Sequence, residues 1–91
     1  MKTRLLRISI GDYYLMETEE EKEFIFYRKD EKPFKVDLTE EIEIAAQCYN
    51  VYRERCGIEQ PQAIQIAVSS DRLFIKLIII DIGKPEKRVL N

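Results

Sequence analysis

Ninety-one residues make one domain whose core is at the small end of what a chain can bury, and they leave no room for a second. Lys and Arg number 15 against 17 Asp and Glu, so a chain that is 35% charged carries a net charge of only −2, and interspersed signs of that kind argue against nucleic acid as a partner. With no His at all the chain lacks the commonest general base, the usual partner of a Ser or Cys nucleophile and the commonest metal ligand, so no catalytic residue, metal site or cofactor is expected.

Met1 to Arg7 carries positive charge without the apolar run of a signal sequence, and no segment approaches the ~20 apolar residues of a membrane span. A cytoplasmic location without membrane contact is expected. Abundant Lys, Glu and Ile beside an absence of His and Trp leans toward a thermophilic source.

Residues 3–10 and 13–18 flank Gly11-Asp12, a dipeptide suited to a tight hairpin turn. Pairing across it sets Ile8 with Leu15 and Ile10 with Tyr13 on one face, and Ser9 with Tyr14 and Arg7 with Met16 on the other. The charged loop from Thr18 to Lys22 follows, and then Glu23 to Arg28, whose aromatic and β-branched side chains predict a third strand. The acidic run Glu17 to Glu23 reads as a solvated turn, or as a mimic of phosphate charge that engages a basic protein. Phe34-Lys35-Val36 forms at most a short extended segment, which Pro33 confines to an edge.

From Asp37 the period turns helical. Leu38, Ile42, Ala45, Tyr49, Tyr52 and Cys56 make one stripe, with Ile44, Cys48 and Val51 in a second row beside it. Asp37 or Thr39 caps the start, and Gly57 supplies a left-handed stop before Pro61. Cys56 is expected to pack toward the sheet and Cys48 to lie on the flank. Eight residues apart on one helix they are about 12 Å from each other, too far for a disulfide.

Ala63 to Ile82 reads as a second hairpin. A two-residue turn at Ser70-Asp71 sets Val68 opposite Leu73, Ile66 opposite Ile75 and Ile64 opposite Leu77. The other face then carries Ala63, Ala67, Phe74, Ile78, Ile80 and Ile82. Asp12, Asp37, Asp71 and Asp81 fall at strand or helix ends, where turn chemistry and capping explain them.

The expected fold is α+β: a two-layer domain over residues 1–83, with an antiparallel sheet (β-β-β-α-β-β) and one long helix packed across one face, and a flexible tail over 84–91. One helix covers one face of a sheet, so a strand apolar on both sides asks for a second cover. The expected function is therefore that of a small non-enzymatic protein-interaction module that self-associates as a homodimer, regulatory or inhibitory toward a protein partner. Its partner-binding residues are Ala63, Ala67, Phe74, Ile78, Ile80 and Ile82. Val89 and Leu90 of the tail, folding back, are the competing cover. The alternative is a single-stranded nucleic-acid-binding protein that stacks bases on sheet-borne aromatics, with Arg7, Tyr14, Arg72 and Lys76 as its contacts and Arg4 nearby.

Overall fold

The computed structural model describes residues 5–83, so Arg4 and the tail with Val89 and Leu90 lie outside the described residues. Around Gly11 and Asp12 the chain adopts the register expected of it. Strand β1 (Arg7–Ile10) meets β2 (Tyr13–Glu17) with Ile8 opposite Leu15 and Ser9 opposite Tyr14. Gly11 takes φ 58°, a value that glycine adopts without steric cost.

Strand β3 (Glu23–Arg28) returns beside β2, reached through a turn in which Lys22 is left-handed at φ 63°. Thr18 closes that turn, its hydroxyl donating to the carbonyl oxygens of Glu20 (3.2 Å) and Glu23 (3.1 Å). Helix α1 (Thr39–Cys56) follows, then β4 (Gln62–Val68) and β5 (Phe74–Asp81). All neighbours are antiparallel in the order β1-β2-β3-β5-β4, giving the expected α+β architecture.

The second hairpin departs from the expected register by two residues. Val68 faces Ile75, Ile66 faces Leu77 and Ile64 faces Ile79. In place of a two-residue turn there is a four-residue loop, Ser70 to Leu73, closed by the Ser69 N–H on the Phe74 carbonyl at 3.0 Å. Its chemistry explains the choice. Leu73 and Phe74 donate their N–H groups to the Ser69 hydroxyl oxygen at 3.1 and 3.2 Å, the Ser69 hydroxyl donates to Asp71 at 2.7 Å, and Arg72 accepts the left-handed conformation at φ 60°. A slip of two leaves every side chain on its expected face, because the strand period is two. Leu73 alone loses its inward place and becomes an exposed loop residue.

The core lies between the sheet's inner face and the helix: Ile8, Leu15, Phe24, Phe26, Ile75, Leu77 and Ile79 below, Ala45, Cys48 and Tyr49 above. The helix backbone approaches β1 and β2 most closely, while its Tyr49 and Tyr52 rings reach Phe24 of the central strand. Its buried line is rotated from the expected stripe. Cys48 is fully buried and Cys56 exposed, the reverse of the expected assignment, while Ile42 is turned outward. The cause is a polar pair that hydrophobic spacing does not register. Glu41, only 6% exposed, is drawn inward to accept a hydrogen bond from the Tyr13 hydroxyl at 3.1 Å, and burial followed by that contact pushes the Tyr13 pKa up. At the far end Tyr52 donates to Glu17 at 2.7 Å, so the helix is tied to both ends of β2.

Gly57 ends the helix as expected, at φ 70°. The N–H of Ile58 reaches the Arg53 carbonyl (3.0 Å) and that of Gly57 the Glu54 carbonyl (3.3 Å), the paired bonds of a Schellman motif. At the other end Leu38 occupies the capping position, and Asp37 acts one residue earlier by accepting from the Thr39 N–H (3.1 Å) and hydroxyl (2.8 Å). The segment before it forms no strand. Phe34 instead drops into the core against Tyr13 and Phe26.

Candidate functional site

Strand parity gives the sheet a second, outer face that the helix does not touch. One row across it is Ser9, Tyr14, Tyr27, Phe74 and Ser69; the next is Arg7, Met16, Ile25, Lys76 and Ala67. Beyond these come Glu23, Ile78 and Gln65, then Ile80 with Ala63. Ile82 follows past the end of β5, its N–H bonded to the Pro61 carbonyl at 3.0 Å. The expected partner-binding residues Ala63, Ala67, Phe74, Ile78, Ile80 and Ile82 thus occupy one end of a single open face. Ala63, Ala67, Ile80 and Ile82 are exposed, and Phe74 and Ile78 half-buried by their neighbours.

The first row is an aromatic ladder. Tyr14 and Tyr27 stack with ring centroids 5.1 Å apart, Phe74 tilts against Tyr27 at 6.2 Å, and the Arg7 guanidinium sits 4.0 Å above the Tyr14 ring. Phe24 and Phe26, on the same strand as Tyr27, point into the core by the same parity. Beside the ladder Tyr14, Tyr27, Arg28, Glu31 and Leu73 line a shallow hollow of about 370 Å³. The Arg28 guanidinium on its rim is engaged by Asp30 at 2.9 Å and by the Pro33 carbonyl at 3.2 Å.

The basic residues of the alternative reading are dispersed. Arg7 is on the ladder. Lys76 lies on the face but 3.6 Å from the Glu23 carboxylate. Arg72 turns away from the face and serves the fold, donating to the carbonyl oxygens of Phe34 (3.0 Å) and Lys35. Met16 and Ile25, at the centre of the open face, are absent from the expected set, although the parity of their strands already placed them there.

A polar cluster closes the end of the sheet below Ile80. Asp81 is paired with Lys22 and accepts from the Gln62 amide at 2.7 Å, and Gln62 in turn accepts from the Tyr49 hydroxyl at 2.6 Å. Hydrogen bonds from Lys22 and then Gln62 hold the Asp81 pKa down at about 2. These contacts join β4, β5, the helix and the acidic loop, and every one is accounted for by packing.

Burial pushes the Cys48 thiol up to about 11, so it is inert as a nucleophile. Native protein treated with a thiol reagent at neutral pH is therefore expected to take one label, on Cys56, with Cys48 labelled only after unfolding; peptide mass mapping reads the outcome. Among the described residues no three of Cys, Asp and Glu gather as metal ligands, and no helix is long and apolar enough to cross a membrane.

These features define a two-layer α+β protein whose outer sheet face, largely apolar toward the Ile80 end, is covered by no element among the described residues. No family model, no curated protein and no solved structure matches the chain.

Proposed function

We propose that this chain is a small non-enzymatic protein-interaction module that self-associates, and that the outer face of its sheet is the surface on which a protein partner docks, to be regulated or inhibited by it. The observation that carries the reading is the open face itself, where Met16, Ile25, Phe74, Ile78 and Ile80 lie together with one charged pair, Lys76 and Glu23, among them. Small Ala63 and Ala67 beside bulky Ile80 and Lys76 make hollows and bumps of the kind that interlock with another protein layer.

The aromatic ladder favours the second reading, since stacked rings on a sheet hold unpaired bases. Its weakness is electrostatic: of the four contacts expected for it, Lys76 is in a pair, Arg72 is committed to the Phe34 segment, and Arg7 is already against a ring. Phosphate contacts dominate nucleic-acid affinity, and this face has few free cations to offer among the described residues. Affinity purification of the tagged chain and of its Ile78→Asp variant from the native host separates the readings. The expected result is a protein retained by the wild type and lost with Ile78→Asp, and no oligonucleotide binding at physiological salt. Submicromolar, salt-sensitive binding of single-stranded oligonucleotide that Arg7→Ala with Tyr14→Ala abolishes would replace the first reading by the second.

A further inference from the structure

Strand β4 is an edge of the sheet, with β5 on one side and no strand on the other among the described residues. Its seven residues, Gln62 to Val68, contain no charge and no proline, and their ladder with β5 runs without a bulge. Sheets guard such edges with Lys, Pro, a bulge or a covering element, because the outward N–H and C=O groups are a template for another strand. The opposite edge, β1, is only four residues long and carries Arg7. The free edge also specifies what fits it. Residues 63–67 read Ala-Ile-Gln-Ile-Ala in either direction. A strand meeting its own copy antiparallel about a two-fold axis at Gln65 therefore sets Ala63 against Ala67, Ile64 against Ile66 and Gln65 against Gln65.

We infer that two copies of this chain join edge to edge through β4, antiparallel about an axis at Gln65, into one continuous sheet. The inference rests on the proposal that the chain self-associates; it assigns that association to the edge and leaves the outer face to a protein partner.

The backbone is in phase for this pairing. The Ser69 N–H bonds the Phe74 carbonyl and the Ile82 N–H bonds the Pro61 carbonyl, both at 3.0 Å, so along the shared register the odd-numbered residues of β4 turn their backbone groups toward β5. The even-numbered Gln62, Ile64, Ile66 and Val68 accordingly turn theirs outward. In the palindromic register Ile64 falls opposite Ile66 and Gln62 opposite Val68, each a hydrogen-bonded pair, while the two Gln65 residues meet in a pair without backbone bonds, their amides side by side. Ile64 and Ile66 lie on the inner face, so the apolar layer continues across the seam and covers Ile66, which is 36% exposed in one copy. The helix backbone comes closest to β1 and β2, and the Tyr49 hydroxyl that reaches β4 does so at the Gln62 side chain, on the inner face and not along the outward edge.

The test is a register-specific cross-link. Gln65→Cys is made with Cys56→Ser, Cys48 being buried. Directly opposed residues of a pair without backbone bonds have Cα atoms about 4.5 Å apart, within disulfide reach. Oxidation is expected to give a covalent dimer, twice 10.8 kDa, on a non-reducing gel. Ala67→Cys in the same background should give none, since its opposite is Ala63 and the two introduced thiols are roughly 13 Å apart along the strands. Ile66→Pro removes an outward N–H and no bond to β5, at the cost of part of the Ile66 side chain's contacts, and should lower the mass by light scattering from dimer to monomer with the circular dichroism of the wild type. If Gln65→Cys fails to cross-link and Ile66→Pro stays dimeric while Ile78→Asp dissociates, the copies meet face to face and the edge pairing is overturned, self-association standing. A wild type that is monomeric at every concentration overturns both.

Discussion

Ile75→Asp is expected to unfold the chain, whereas Ile78→Asp, three residues along the same strand, is expected to leave it folded. Ile75 has no solvent exposure and lies between Phe26 of β3 and Val68 of β4 on the inner face. An aspartate there gives up the apolar burial and places an unpaired carboxylate where no partner awaits it, a combined cost of several kcal/mol against a total stability of about 5–15 kcal/mol for a domain of this kind. Ile78 stands half-buried between Glu23 and Gln65 on the outer face, where a carboxylate can still reach water and repulsion from Glu23 is a small cost beside that of a buried, unpaired charge. Far-UV circular dichroism with urea titration measures the difference. Equal loss in the two variants would mean that the outer face is covered from within the chain, and the docking surface proposed for it would go.

The parts of this fold that are legible in the sequence are those decided by local chemistry. Gly11-Asp12 sets the first hairpin to the residue, and Gly57 ends the helix where a left-handed residue must. The outer face was legible too, because strand parity survived the error in the second hairpin. That error has a local cause that composition does not expose: Ser69 and Asp71 satisfy more of the loop's N–H groups in a four-residue closure than a two-residue turn allows, at the expense of a left-handed Arg72. The rotation of the helix was not legible. Apolar spacing favours Ile42 and Cys56 as core, and only the Tyr13–Glu41 contact, between residues 28 apart, turns Glu41 in and Ile42 out. The palindrome of β4 was in plain view, but it acquires meaning only once β4 is known to be an edge.

Phe34→Ala is expected to cost about 3–5 kcal/mol, as much as loss of an aromatic from the centre of the sheet, although Phe34 belongs to no strand or helix. The rings of α1 that reach β3 meet it at Phe24, and at the Tyr13 and Phe26 end of the inner face the connector from β3 to α1 supplies the cover. Phe34 is 2% exposed, its ring 6.2 Å from that of Tyr13 and 5.9 Å from that of Phe26, both nearly parallel to it. Arg72 fixes the backbone from both sides: its carbonyl accepts the Phe34 N–H at 2.8 Å and its guanidinium donates to the Phe34 carbonyl at 3.0 Å. The truncated side chain therefore leaves a cavity that the anchored segment cannot collapse to fill. Val36, two residues on and 86% exposed, is the control, and Val36→Ala should change stability by no more than about 0.5 kcal/mol. Urea denaturation of the two variants reads both numbers. A loss at Phe34 as small as that at Val36 would show that the connector contributes nothing to the core, and that the inner face beyond the helix is as open as the outer one.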